Sequence, residues 1–125
     1  MIYLFKGCGI DTGPLIIKTK EYIHNKLGHS KIKVIELSVS DRLGILRYFN
    51  YDDIKCIVVS DIHLYHKSVQ KSLIPIIKEA SKTKDIVLLI DKIYMDEDKN
   101  PIIGLADKTV ELNLMNNISS RQVVL

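Results

Sequence analysis

A glycine-rich segment near the start of the chain has the residue types that could bind a ligand. It follows an apolar run at residues 2–5 and consists of Gly7, Cys8, Gly9, Gly13, Pro14 and Leu15, with three other residues between. Its three glycines allow a tight turn that exposes backbone N–H groups. A strand is predicted before the turn and a helix after it, so the turn lies where a helix N-terminus attracts anions. The segment is either a phosphate loop or a turn that serves only the fold.

The residues of this turn depart from a working phosphate loop. Such a loop reads G-x-x-x-x-G-K-[ST], in which the Lys reaches the terminal phosphates and the hydroxyl holds magnesium. With Gly13 as the second glycine, Cys8 replaces the first glycine, Pro14 replaces the Lys and Leu15 replaces the hydroxyl. Pro14 also lacks a backbone N–H. We therefore expect no nucleotide or metal cofactor and no ATPase activity, although the remaining amides leave weak anion binding open.

The elements that position this turn alternate between strands and helices along the chain. Apolar runs predict strands at residues 2–5, 32–37, 56–59 and 86–90. Helices are predicted from Pro14 to Gly28, over residues 40–49, and after a cap at Ser68 or Ser72, where Pro75 delays or kinks the helix. Residues 109–114 and 122–125 predict a C-terminal antiparallel hairpin. The pattern indicates an α/β fold, a three-layer sandwich with a mainly parallel central sheet, as one domain over residues 1–125.

The composition restricts the class of protein more than its function. The 125 residues carry a net charge of +3, and the basic residues are scattered rather than clustered. No stretch has the roughly 20 apolar residues of a membrane span, and Cys8 and Cys56 fit neither a disulfide framework nor a zinc site. We expect a cytoplasmic protein with reduced thiols and no membrane partner.

Two further groups of side chains have types that could do chemistry. Asp61, His63 and His66 follow a predicted strand, where a metal or general-base role competes with a simple strand-end role, and the latter is preferred because metal sites need more ligands. The candidate contacts with DNA or a protein partner are Arg42, Arg47, Tyr48 and Tyr51, and the alternative for the aromatic residues is a place at the edge of the core. The acidic residues 96–98 indicate a solvated turn.

The second half of the chain resembles the RecA-type recombinases of the archaeal RadA and RadB group. Residues 56–65, CIVVSDIHLY, resemble the Walker B strand of that family, with Ser60 and Asp61 in reversed order. Residues 85–96, 100–104, 106–112 and 121–125 match in order and spacing the family's aliphatic strand, its Pro-and-Gly turn and its two closing strands. Asp91-Lys92 replaces the nucleotide-sensing Asn-Gln, and the acidic residue that polarises water is missing after the strand at 34–37.

This resemblance implies a RecA-like topology and a paralogue that has lost catalysis. Because the ATP-contacting positions have changed while the apolar skeleton remains, it implies an accessory or regulatory partner in DNA recombination and repair. The implied partner is a RadA-like recombinase, another paralogue or a second copy of the chain, with DNA contacted weakly or indirectly. The alternative is a nucleotide- or phosphate-responsive binding domain that retains a weak anion site at the glycine turn.

Overall fold

The architecture is a five-stranded parallel sheet in the part of the chain that the structure describes. The structure is a computed structural model that describes residues 1–7, 12–36, 47, 49–91, 96 and 98–112. Its strands are β1 (Ile2–Gly7), β2 (Lys33–Glu36), β3 (Cys56–Ser60), β4 (Asp85–Asp91) and β5 (Lys108–Leu112). They lie in the order β2-β3-β4-β1-β5, and every neighbouring pair is parallel. The predicted parallel sheet is confirmed.

The central strands are apolar because helices cover both faces of the sheet. Every residue of β3 is buried, and in β4 residues 86–90 are buried as well. Alternate residues face opposite sides, so Ile2 and Leu4 belong to one hydrophobic cluster, whereas Tyr3 and Phe5 belong to the other. Two cores on one sheet follow from this alternation.

The first helix, α1 (Thr12–Tyr22), covers the face that carries Tyr3 and Phe5. It continues as a π-helical turn, Ile23–Leu27, and ends at Gly28, whose φ of 78° is left-handed and favours glycine. The predicted helix and its stop at Gly28 are confirmed. Pro14 is the third helical residue rather than the first.

The second helix, α2 (Lys67–Ala80), covers the opposite face with the buried residues Leu73, Ile77 and Ala80. It does not start late, because Pro75 lies inside it. The prediction of a Ser68 or Ser72 cap is wrong: the cap is His66, whose Nδ1 accepts from the Ser68 N–H at 3.2 Å. A 3₁₀ helix, Pro101–Leu105, packs on the same face through Ile102 and Ile103.

The C-terminal hairpin is not seen in the part of the chain that the structure describes. Its first arm coincides with β5, which pairs in parallel with β1. Its second arm, 122–125, lies outside the described residues, as does most of the helix predicted over 40–49. Among the described residues, no helix combines the length and apolar character needed to cross a bilayer.

Candidate functional site

The strand order places the glycine turn at the position where open α/β sheets bind ligands. The connection after β1 leads to β2, which forms one edge of the sheet. The connection after β4 passes over β1 and leads to β5, which forms the other edge. Neighbouring strands whose connections diverge in this way form a crevice at their carboxyl ends. Gly7 of β1 and Asp91 of β4 are register partners at that end.

Gly7 makes a close contact with the Leu15 side chain of α1. A Cβ at Gly7 would collide with Leu15 Cδ1, so a side chain there would force the Leu15 side chain to move. Leu15 is 5% exposed and belongs to the cluster beneath α1. Both residues therefore help to seat the start of α1 on the sheet.

The remaining described residues of the turn are exposed. Gly13 and Pro14 lie in the first turn of α1, and no heavy atom comes within 4 Å of a Cβ placed on Gly13. Pro14 has no N–H to donate, so the cradle available to an anion is reduced by one donor. Cys8 and Gly9 lie outside the described residues. The site thus offers backbone amides near Gly13, without a Lys at position 14 or a hydroxyl at position 15.

The end of β3 presents a hydroxyl rather than a carboxylate toward α1. Ser60 is 1% exposed and, by alternation with Cys56 and Val58, lies on the α1 face. Its Oγ is buried and has no hydrogen-bond partner among the described residues. Asp61 follows in the left-handed conformation, with φ 63° and ψ 21°, which Asp tolerates better than most residues. It precedes the 3₁₀ helix Ile62–Leu64.

A second ligand-sized space lies beside the predicted His63 and His66. These histidines line a cavity of about 550 Å³ together with Tyr65, Lys67, Lys99 and Asn100, and Asp61 is not part of its lining. Lys67, Lys99 and Asn100 were not predicted as site residues, because they meet only when the start of α2 packs against the turn before Pro101. Within the described ranges, no three His, Cys, Asp or Glu side chains form a group that could hold a metal ion.

The predicted aromatic and basic contact residues lie in the segment that leads into β3. Tyr51 is 43% exposed and Arg47 is exposed, whereas Phe49 between them is buried in the core. Arg42 and Tyr48 lie outside the described residues. The buried Lys84 holds this segment, because its Nζ donates to the carbonyl oxygens of Tyr51 and Ile54. Arg47 and the Tyr51 ring are thus exposed, and the Tyr51 backbone is held by Lys84.

Cys56 is protected from reaction by its position in β3. Burial, and secondarily the nearby Asp85 carboxylate, raises the pKa of the Cys56 thiol to about 12. The thiol is 0% exposed and neutral at physiological pH. We assign it a packing role.

The two regions offer different chemistry at the same end of the sheet. The glycine turn provides amides at a helix start, and the cavity beside α2 provides imidazole and ammonium groups. No protein-family model and no curated protein matches this chain. Function is therefore inferred from the geometry of the described residues and from the motif resemblance.

Proposed function

We propose that this chain is a non-catalytic relative of the RecA-type recombinases that acts as an accessory or regulatory binding partner. The observation that carries the proposal is the burial of Leu15 against Gly7. When the chain is aligned with the RecA-type family, position 15 corresponds to the Ser or Thr whose hydroxyl binds magnesium in that family. A leucine packed into the core provides no oxygen ligand, so this position supports the fold instead of the metal.

Three other features favour the loss of ATP hydrolysis. Pro14 replaces the Lys that would neutralise the terminal phosphates and removes one amide donor from the turn. At the end of β3, the α1 face receives the Ser60 hydroxyl, and Asp61 comes one residue later in a left-handed turn. Among the described residues, the parallel sheet and its helices thus lack a Lys at position 14 and a hydroxyl at position 15, which supports the proposed loss of phosphoryl transfer.

The proposed role is to occupy an interface. In RecA-type assemblies ATP lies between neighbouring subunits, so a subunit without nucleotide can still complete or cap such an interface. The proposed partner is a RadA-like recombinase, a paralogue or a second copy, and the process is DNA recombination and repair in the cytoplasm. The RecA-like three-layer topology belongs to this proposal. A net charge of +3 gives only weak attraction to DNA.

A second function is favoured by the switch point between β1 and β4. The exposed Gly13 lies at the start of α1 beside this crevice, where backbone amides can bind an anion without a lysine. The alternative is therefore a phosphate- or nucleotide-responsive binding domain with a weak site at the glycine turn.

Association with a purified RadA-like recombinase tests the first function. We expect the two proteins to co-migrate in size-exclusion chromatography with light scattering, and the recombinase's ATPase rate to change, while the chain alone hydrolyses no ATP. Tyr51→Ala should weaken this association, and the exposed Ile17→Ala on α1 is the matched control. Absence of any complex, together with phosphate binding at the glycine turn, would favour the second function instead.

A further inference from the structure

The cavity beside α2 is separate from the glycine turn. It lies between residues 63–67, which follow β3 and begin α2, and residues 98–100, which precede the 3₁₀ helix Pro101–Leu105. Both segments are followed in sequence by residues that pack on the sheet face covered by α2. The glycine turn instead leads into α1, which covers the opposite face of the sheet. Because the cavity also follows β3, it lies toward the carboxyl edge of the parallel sheet, where ligand sites of α/β proteins collect.

Positively charged groups prevail in this cavity. Lys67 and Lys99 line it, and neither forms an ion pair with a carboxylate of the described residues. Among the described residues of the lining, Asp98 is the single carboxylate. These described residues therefore carry a net positive charge, from Lys67 and Lys99 against Asp98, which attracts an anion.

His66, which lines the cavity, adds a hydrogen-bond donor. Its Nδ1 accepts from the Ser68 N–H at 3.2 Å and caps α2, so in the neutral ring the proton is carried by Nε2. The Nε2–H is then available as a donor. The N-terminus of the 14-residue α2 contributes positive potential at the same place.

A buried amide holds the two walls of the cavity together. Gln70 is 0% exposed, and its Nε2 donates to the Tyr65 carbonyl and to Asn100 Oδ1, each at 2.9 Å. Asn100 is 4% exposed and donates through Nδ2 to the Asp96 carbonyl at 3.3 Å. Gln70 Oε1 is also buried, and it has no hydrogen-bond partner among the described residues. Polar groups buried behind a cavity in this way fix its shape before a ligand arrives.

We propose that this cavity binds the phosphate group of a small phosphate monoester. Two ammonium groups and the His66 Nε2–H match the oxygens of a phosphate dianion, and the start of α2 adds positive potential. The volume of about 550 Å³ leaves room for an organic group beyond the phosphate, and Leu64 (59% exposed) and Tyr65 provide an apolar wall for it. This site does not depend on the proposed accessory function.

The test is a titration of the ¹⁵N-labelled protein with phenyl phosphate, and in parallel with inorganic phosphate, followed by amide chemical shifts. We expect saturable shifts at residues 63–70 and 98–100, with phenyl phosphate binding more tightly than inorganic phosphate because its ring reaches the apolar wall. Absence of saturation up to about 10 mM of either probe would overturn the proposal. Shifts at residues 7, 12, 13 and 15 instead would overturn it in favour of the glycine turn.

Variants separate a specific site from general attraction to basic residues. Lys67→Met with Lys99→Met should weaken phenyl phosphate binding about tenfold or more, because two charge-assisted contacts are lost. The control pair Lys71→Met and Lys78→Met removes the same charge from exposed positions of α2 outside the cavity. Equal weakening by both pairs would overturn the proposal.

A third variant separates the ligand contact of His66 from its capping role. His66→Asn retains a good helix cap but removes the Nε2–H donor. We expect weaker binding of phenyl phosphate with an unchanged midpoint of urea unfolding. Unchanged binding in this variant would remove His66 from the site and contradict the stated geometry.

Discussion

Leu15 and Gly7 form the contact on which the functional interpretation depends most. The sequence identified both positions but left two roles for the glycine open, a turn former or part of an anion cradle. The contact favours glycine at position 7 for steric reasons, since a side chain there would collide with Leu15 Cδ1. Gly13 has no such neighbour. Gly7 and Gly13 belong to the same turn, but only Gly7 is favoured by close packing against a neighbouring side chain.

Gly7→Ala tests the packing role of this contact. The new methyl group would displace Leu15 or the start of α1, and overpacking of a core costs about 1–3 kcal/mol. We expect the free energy of unfolding, measured by urea denaturation, to fall by that amount. The matched control is Gly104→Ala, where no heavy atom lies within 4 Å of the added carbon. Equal stability of the two variants would contradict the close contact.

The raised pKa of Cys56 predicts that the protein loses stability at alkaline pH. Its folded pKa of about 12 lies above the ordinary pKa of 9.0 for an unburied thiol. The thiol therefore ionises at a lower pH in the unfolded chain than in the folded one. Its contribution to the free energy of unfolding is fully present below about pH 9 and is lost as the pH rises toward about 12. Burial also raises the pKa of Tyr3 from 10.0, which adds to the loss at high pH.

The measurement is the free energy of unfolding at several values between about pH 8 and pH 11. We expect a shallower decline for Cys56→Ala than for the unchanged chain, because the contribution of the buried thiol is then removed. Parallel curves would show that the Cys56 thiol is not protected by the fold.

The helices illustrate which features of an element can be read from sequence. Gly28 marked the end of the first helix correctly, because a left-handed φ strongly favours glycine. The start of α2 was assigned to a serine, but a histidine caps it. Serine is the commoner cap, and only the folded chain shows that the His66 ring reaches the Ser68 N–H. The 3₁₀ helix Pro101–Leu105 was missed because a five-residue segment has too little periodicity.

Pro75→Ala tests the cost of a proline inside α2. Proline provides no N–H for the helix and crowds the preceding turn, a cost of about 3 kcal/mol in a helix interior. Part of this cost is offset because proline restricts the unfolded chain by about 0.4–1 kcal/mol. We expect the substitution to raise the free energy of unfolding by about 1–2 kcal/mol.

The matched control for this prediction is Lys78→Ala, an exposed position of the same helix. Its effect should stay within about 0.5 kcal/mol. A loss of stability in Pro75→Ala would indicate that the proline ring, or a bend that it imposes, is needed to seat Ile77 in the core.

At the scale of the whole molecule, the α/β class and the parallel strands followed from the sequence. Continuous β-branched and aliphatic runs such as those of β3 and β4 are typical of strands covered on both faces. The strand order was not readable, because it depends on which connections cross β1. The cavity beside α2 was equally hidden, since Lys67 and Lys99 are distant in sequence and meet only after α2 has packed on the sheet.

The most direct test of the central claim is calorimetric titration of the chain with ATP and magnesium, with an active RecA-type recombinase as the positive control. The claim is that a buried leucine at position 15 and a proline at position 14 leave the turn unable to hold a metal-bound triphosphate. The predicted result is no binding tighter than a dissociation constant of about 1 mM. A magnesium-dependent dissociation constant in the micromolar range would contradict it.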